Sequence, residues 1–146
     1  MDACLINMPS DDFEQTLDPE IYVEAKDRGS ALEDDRQAMF VAFMRQHCHA
    51  CRVYAVPNGT YIASRAGRAK RQREGLNSGE PDLGVTWADA PTARIEFKSG
   101  RTMPGADQIE ALNWYHRRGH PVAVCRTAEG ALRWLASIGA PVGVVL

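Results

Sequence analysis

The sequence predicts an α/β fold, a mixed sheet flanked by helices, and three observations carry that prediction. Apolar residues recur at helical spacing in some stretches and alternate in others, so helices and strands are both present. The two kinds interleave in the order α, β, α, β, β, α, β, α, β, and such interleaving packs as a sheet with helices laid against it. The 146 residues, 45% hydrophobic and 25% charged, are enough for one core and short for two.

Residues 1–29 are polar, acidic and poorly periodic, which reads as an N-terminal arm with one short ordered piece at Ile21 to Val23. The domain itself is expected over 30–146. Ser30 is a candidate N-cap, and Leu32, Met39, Phe40, Phe43 and Met44 recur at helical spacing until about His47. Arg52 to Val56 alternates and runs into Pro57, Asn58 and Gly59, a strand closed by a turn. Tyr61 to about Glu74 is a basic helix stopped by Gly75 and the polar loop Asn77-Ser78-Gly79. Asp82 to Trp87 and Ala93 to Lys98 are extended segments joined across Pro91, a hairpin signal. Gln108 to about Arg118 is amphipathic through Ile109, Leu112 and Tyr115, and Gly119 ends it ahead of Pro121. Val122 to Cys125 is a short apolar strand, Ala128 to Ile138 a helix with Leu132 and Leu135 inward, and Val142 to Leu146 a last extended piece.

The net charge of −2 hides a segregation along the chain. Asp11 to Asp35 carries −8, whereas Arg36 to Leu146 carries +7, with a dense cluster at Arg65, Arg68, Lys70, Arg71 and Arg73. Such a cluster is either a solvated helix face or a phosphate-contacting patch. The longest apolar run, Ala38 to Met44, is far below the roughly 20 residues that span a bilayer. The N-terminus is acidic rather than signal-like, and the four cysteines have no framework spacing, so a reducing, cytoplasmic setting without membrane partners is expected.

The chemistry concentrates in Gly79-Glu80-Pro81-Asp82 and, after the hairpin, Ile95-Glu96-Phe97-Lys98. Alternation along a strand puts Glu96 and Lys98 on one face and Ile95 and Phe97 on the other. A hairpin centred near Ala90 pairs Asp82 with Lys98 and makes Glu96 its diagonal neighbour, so two carboxylates can share a cation. Hard oxygen ligands suit Mg²⁺ or Mn²⁺. Lys98 is then placed to orient or help deprotonate an attacking water. Glu33, seven residues before Phe40, falls near the same helical stripe and faces inward; metal binding, Arg36 or a backbone amine can satisfy it. The alternative for the hairpin is a capping Asp82 and a surface ion pair between Glu96 and Lys98.

Proline-aspartate, a hairpin, then glutamate, one apolar residue and lysine resembles the PD-(D/E)xK nuclease superfamily, with its restriction-endonuclease-like core of order αβ(α)ββαβ. Glu33 to Val124 is similar to one branch, the VRR-NUC family. The resemblance is carried by Glu33 and Gln37, Val56-Pro57-Asn58-Gly59, the basic helix ending at Gly75, Gly79-Glu80-Pro81-Asp82-Leu83, Ile95-Glu96-Phe97-Lys98, Gln108, and Gly119 ahead of Val122 to Val124. It implies Mg²⁺- or Mn²⁺-dependent hydrolysis of DNA, with Asp82, Glu96 and the Phe97 carbonyl as metal ligands and Lys98 as the catalytic lysine. Glu33 matches the first-helix acid, a further metal ligand, and Gln108 the glutamine of the following helix. Arg65, Arg68, Lys70, Arg71, Arg73 and Asn58 are then the expected DNA contacts. Small stand-alone members resemble symmetric homodimers that resolve four-way (Holliday) junctions, and longer members cut flaps. This chain fits the first kind, with a flap or duplex nuclease, or a silent DNA-binding module, as alternatives.

His47, Cys48, His49 and Cys51 raise a zinc or redox reading, which needs a second ligand pair from Cys4, Cys125, His116 or His120, or a βαβ context for Cys-x-x-Cys. Ordinary buried thiols at a helix end are the simpler reading. Trp87, Trp114 and Trp134 are expected in the core or an interface.

Overall fold

The computed structural model describes residues 16–57 and 64–143. Asn58 and Gly59, the first residues of the expected basic helix, Cys4 and residues 144–146 lie outside the described residues. Among the described residues the elements run β1 (Tyr22–Val23), α1 (Glu33–His47), β2 (Arg52–Ala55), α2 (Arg65–Arg73), β3 (Leu83–Thr86), β4 (Ala93–Phe97), α3 (Ala106–Arg117), β5 (Val122–Cys125) and α4 (Ala128–Ser137). They form one mixed sheet in the order β1-β5-β4-β3-β2. The hairpin strands β3 and β4 and the outer β2 pair antiparallel, while β4, β5 and β1 pair parallel, with α3 as the crossover between β4 and β5.

Central strands buried on both faces read as apolar runs, and β5, Val122–Cys125, is buried throughout. On one face Phe40 and Met44 of α1 and Leu132 and Leu135 of α4 pack on Leu83, Val85, Ile95 and Phe97. On the other face α3 brings Leu112 against Ile21, Val122 and Val124. Helix α3 ends as its sequence predicts. Gly119 adopts φ 82°, its N–H reaches the His116 carbonyl, and His120 N–H reaches that of Tyr115.

Several boundaries differ from the sequence expectation. Helix α1 begins at Glu33 with Leu32 rather than Ser30 at the N-cap, and three acids, Glu33, Asp34 and Asp35, occupy its first turn, where they favour the helix dipole. Its inward stripe is Arg36, Phe40 and Met44 at four-residue intervals, so Leu32 and Met39 point outward, 68% and 67% exposed. Among the described residues of the expected last extended piece, 142–143, no strand forms. Val142 turns onto the core, its N–H bonded to Ala140 O at 2.8 Å and its carbonyl accepting from the Cys48 thiol at 3.2 Å.

The described part of the acidic segment lies along the domain. Tyr22 and Val23 pair with Ala123 and Val124. Buried Asn113 accepts from Asp18 N–H at 2.8 Å and donates to Thr16 O at 3.0 Å, and Asp18 pairs with Arg117 at 3.0 Å. The Glu24 carboxylate accepts from the backbone of Arg126 and Thr127 at the start of α4. Asp27 pairs with buried Arg36 at 2.6 Å, and that guanidinium holds the Asp27 carboxyl below its usual range. Fully buried Arg126 donates to the carbonyls of Glu24 and Gly100, tying this segment to the loop between β4 and α3. Among the described residues no helix is long and apolar enough to cross a membrane.

Candidate active site

The hairpin turns at Asp89, which takes φ 57°, a left-handed conformation that aspartate tolerates better than most residues. Leu83 therefore pairs with Ile95 and Val85 with Ala93. Continuing this register places Asp82 across from Glu96, not from Lys98 as the sequence spacing suggests. Moving the centre from Ala90 to Asp89 shifts the pairing by two residues, which preserves the faces. The backbone joins the carboxylates. Phe97 N–H donates to Asp82 Oδ2 at 2.8 Å and Asp82 N–H to Glu96 Oε2 at 3.3 Å. The Phe97 ring lies in the core, 5.6 Å from that of Phe40.

Helix α1 supplies Glu33, on the turn before Arg36 and Phe40. Glu33, Asp82 and Glu96 each offer an oxygen, and these oxygens all lie within 4.8 Å of one another. Arg36 does not serve Glu33, because Asp27 occupies it; the backbone of Ser99 does. Lys98 brings its amine to 3.5 Å from Glu96 Oε1 and is 12% exposed. From α3, Gln108 Nε2 donates to Glu96 Oε1 at 2.6 Å, and Gln108 Oε1 accepts from Gly105 N–H at 2.9 Å. Glutamine here fixes a carboxylate and its own helix start at once. Glu33, Asp82, Glu96, Lys98 and Gln108, drawn from three elements and the two loops that flank the hairpin, thus converge. A cleft of about 570 Å³ opens on Glu33, Asp82 and Gln108.

Glu96 is fully buried, and burial, reinforced by the Asp82 charge and opposed by Lys98, pushes its carboxyl up to about 8. Burial also raises Asp82, with the Phe97 N–H and Lys98 opposing, and raises Glu33 against Lys98. Three converging acids that resist ionisation by themselves are an arrangement a divalent cation stabilises. The donors are hard oxygens, which fits Mg²⁺ or Mn²⁺ and not a thiolate-preferring metal.

The loop carrying Asp82 packs closely on α3. Gly79 takes φ 79°, and a Cβ there would meet the Asp107 backbone at 2.4 Å. Ser78 Oγ donates to Asp107 Oδ2 at 2.6 Å, and the Tyr115 hydroxyl donates to Glu80 Oε2 at 2.6 Å. Sequence reasoning missed these supports; the signal available was a glycine and a glutamate immediately before the Pro81-Asp82 pair. Gly79→Ala is expected to cost about 1–3 kcal/mol through left-handed strain plus the backbone clash, and so to lower Tm. Thermal melting of the variant beside the parent checks it; an unchanged Tm contradicts it.

The chain resembles a solved structure, a VRR_NUC domain protein, with a TM-score of 0.60 and 18% sequence identity over 77% of this chain and 92% of that one. The fold is a VRR-NUC fold. No protein-family model and no curated protein matches the sequence. In this fold the three carboxylates stand on the central hairpin and the first helix.

The described basic residues expected to meet DNA lie on α2, and none of them lines the cleft. Helix α2 buries none of its side chains; Arg65, Arg68, Lys70, Arg71 and Arg73 are exposed, and Lys70 pairs with Glu74 at 3.8 Å. Ser64 Oγ caps it by accepting from Gly67 N–H at 2.9 Å. The segment after it, Gly75 to Gly79, leads directly into the cleft wall. Asn58 lies outside the described residues. Among the described residues no other group of three His, Cys, Asp or Glu side chains converges. Cys48 is buried against Val142, and His49 Nε2 contacts Gln46 O at 2.9 Å, as befits a helix end. Trp134 is buried and Trp87 partly so, whereas Trp114 is exposed.

Proposed function

We propose that this protein is a divalent-cation-dependent nuclease that hydrolyses DNA phosphodiesters at the cleft above β4. The observation that carries the reading is the convergence of Glu33, Asp82 and Glu96 within 4.8 Å, with Lys98 beside them, on a VRR-NUC fold. Glu33, Asp82, Glu96 and the Phe97 carbonyl would hold the divalent cation, which would supply Lewis acidity to a water and to the scissile phosphate. The protein's own groups do the rest. Gln108 and the Asp82 N–H fix Glu96, the Phe97 N–H fixes Asp82, and Lys98 brings its amine beside Glu96, where it orients the attacking water. The exposed basic residues of α2, with Asn58, contact backbone phosphates and hold the strand across the cleft.

The substrate is a four-way DNA junction and the working form a homodimer. Among the described residues each chain carries one such cluster, and cutting two opposed strands requires two, which a two-fold dimer provides. The test is cleavage of labelled four-way junctions, flaps, single strands and linear duplex in Mg²⁺ or Mn²⁺. Paired symmetric nicks in the junction support the resolvase reading. Preferred cutting of flaps or duplex replaces the substrate, and no metal-dependent cutting of any of them leaves a DNA-binding module.

A further inference from the structure

The first 35 residues hold only two cations, Lys26 and Arg28. Both are exposed, on either side of Asp27. The described acids of residues 16–29 are turned to the domain: Asp18 to Arg117, Glu20 to His116 at 3.7 Å, Glu24 to the backbone of Arg126 and Thr127, and Asp27 to Arg36. The side chains of Lys26 and Arg28 make no hydrogen bond or ion pair among the described residues. Asp27 N–H donates to Gly100 O at 3.1 Å, which sets the two cations against the loop between β4 and α3, beside Arg101. Arg101 is likewise exposed and unpaired among the described residues.

That loop is braced before any ligand arrives. Gly100 O also accepts from buried Arg126 at 2.9 Å, Thr102 donates from its N–H and its hydroxyl to Ser99 O at 3.0 and 2.8 Å, and Pro104 is buried. The loop starts after Lys98, bonds Glu33 through the Ser99 backbone, and ends at Gly105, which lines the cleft. Arg101 therefore stands at the margin of the cleft on its α1 side, whereas α2 leads into another part of the wall, Ser78 and Gly79. An acidic cleft repels a polyanion unless cations at its margins offset it. Asp35, exposed on the first turn of α1, is one charge against these three. We propose that Lys26, Arg28 and Arg101 form a second phosphate-contacting surface, which holds the DNA backbone where it leaves the cleft on the α1 side. The inference rests on the nuclease reading and deepens it: the N-terminal segment, acidic as a whole, supplies cations that hold the substrate.

The test measures binding of the full chain to a labelled four-way junction across a KCl titration, with Ca²⁺ held constant. For Lys26→Gln/Arg28→Gln/Arg101→Gln the plot of log Kd against log KCl is expected to be shallower than the parent's by about 2 to 3, at about 0.9 per lost contact, with binding about tenfold or more weaker at about 0.15 M KCl. Lys26→Arg/Arg28→Lys/Arg101→Lys keeps the charges and is expected to keep the slope, which a loss of fold would not allow. The remote pair Arg45→Gln/Arg133→Gln, at the far end of α1 and on α4, is expected to leave the slope near the parent's. An unchanged slope in the glutamine variant, or the same change per charge in the remote pair, overturns the surface while the nuclease reading stands. A lost slope in a protein that cuts no DNA in Mn²⁺ supports the surface and overturns the nuclease. A parent that binds no DNA overturns both.

Discussion

Asp82→Asn is expected to abolish metal-dependent cleavage, by about 10³-fold or more, while the chain stays folded. The substitution is isosteric. Its amide oxygen still accepts from Phe97 N–H, the bond that now holds Oδ2 at 2.8 Å, so the hairpin keeps its register. What disappears is one of three negative charges within 4.8 Å, and with it the attraction for a divalent cation. Lys98→Met separates two roles. It also loses cleavage, but Glu33, Asp82 and Glu96 remain, so Mn²⁺ still raises its Tm, whereas Mn²⁺ no longer stabilises Asp82→Asn. Circular dichroism, thermal melting with and without Mn²⁺, and cleavage rates read the three properties separately. Unfolding of either variant assigns the residue a structural role instead.

The second large effect concerns pH. In metal-free protein the carboxyl of Glu96 is raised to about 8 by burial and by Asp82, and those of Asp82 and Glu33 are raised as well. For a raised acid the folded state holds its proton more tightly than the unfolded chain does. The associated stability is fully present below the ordinary carboxylate range and is lost as pH rises through about 8. In EDTA, Tm is therefore expected to fall by roughly 10 °C between pH 5 and pH 9. A divalent cation favours the ionised carboxylates, so the rise in Tm caused by Mg²⁺ or Mn²⁺ grows across the same window. Asp27, held low by Arg36, acts only at more acidic pH and does not obscure the trend. Melting curves at several pH values check this, and a metal-free profile that is flat or rises with pH contradicts it.

The element types were legible because their periods are local. Phe40 and Met44 repeat within one helix, and Ile95 and Phe97 alternate within one strand, so neighbours in sequence report the burial of each. The site was legible for a related reason: Asp82, Glu96 and Lys98 lie on one hairpin, and strand alternation orders them without knowledge of the rest of the fold. The register was less accessible, since it depends on the left-handed backbone of Asp89, one residue from the apparent centre. The packing of residues 16–27 was hidden. Its partners Asn113, Arg117, Arg126 and Thr127 lie far along the chain and carry no periodic signal. The gathering of Lys26, Arg28 and Arg101 belongs to the same class, because Asp27 meets Gly100 only when the N-terminal segment packs on the loop before α3.

The most direct test of the central claim is the nicking rate of a labelled four-way junction as free Mn²⁺ is titrated against a chelator. Saturable cleavage that vanishes in excess chelator, and is absent at every Mn²⁺ concentration for Asp82→Asn, is the result this structure predicts. Cleavage that persists in chelator, or that Asp82→Asn supports at the parent rate, would show that the carboxylate cluster is not the catalytic centre.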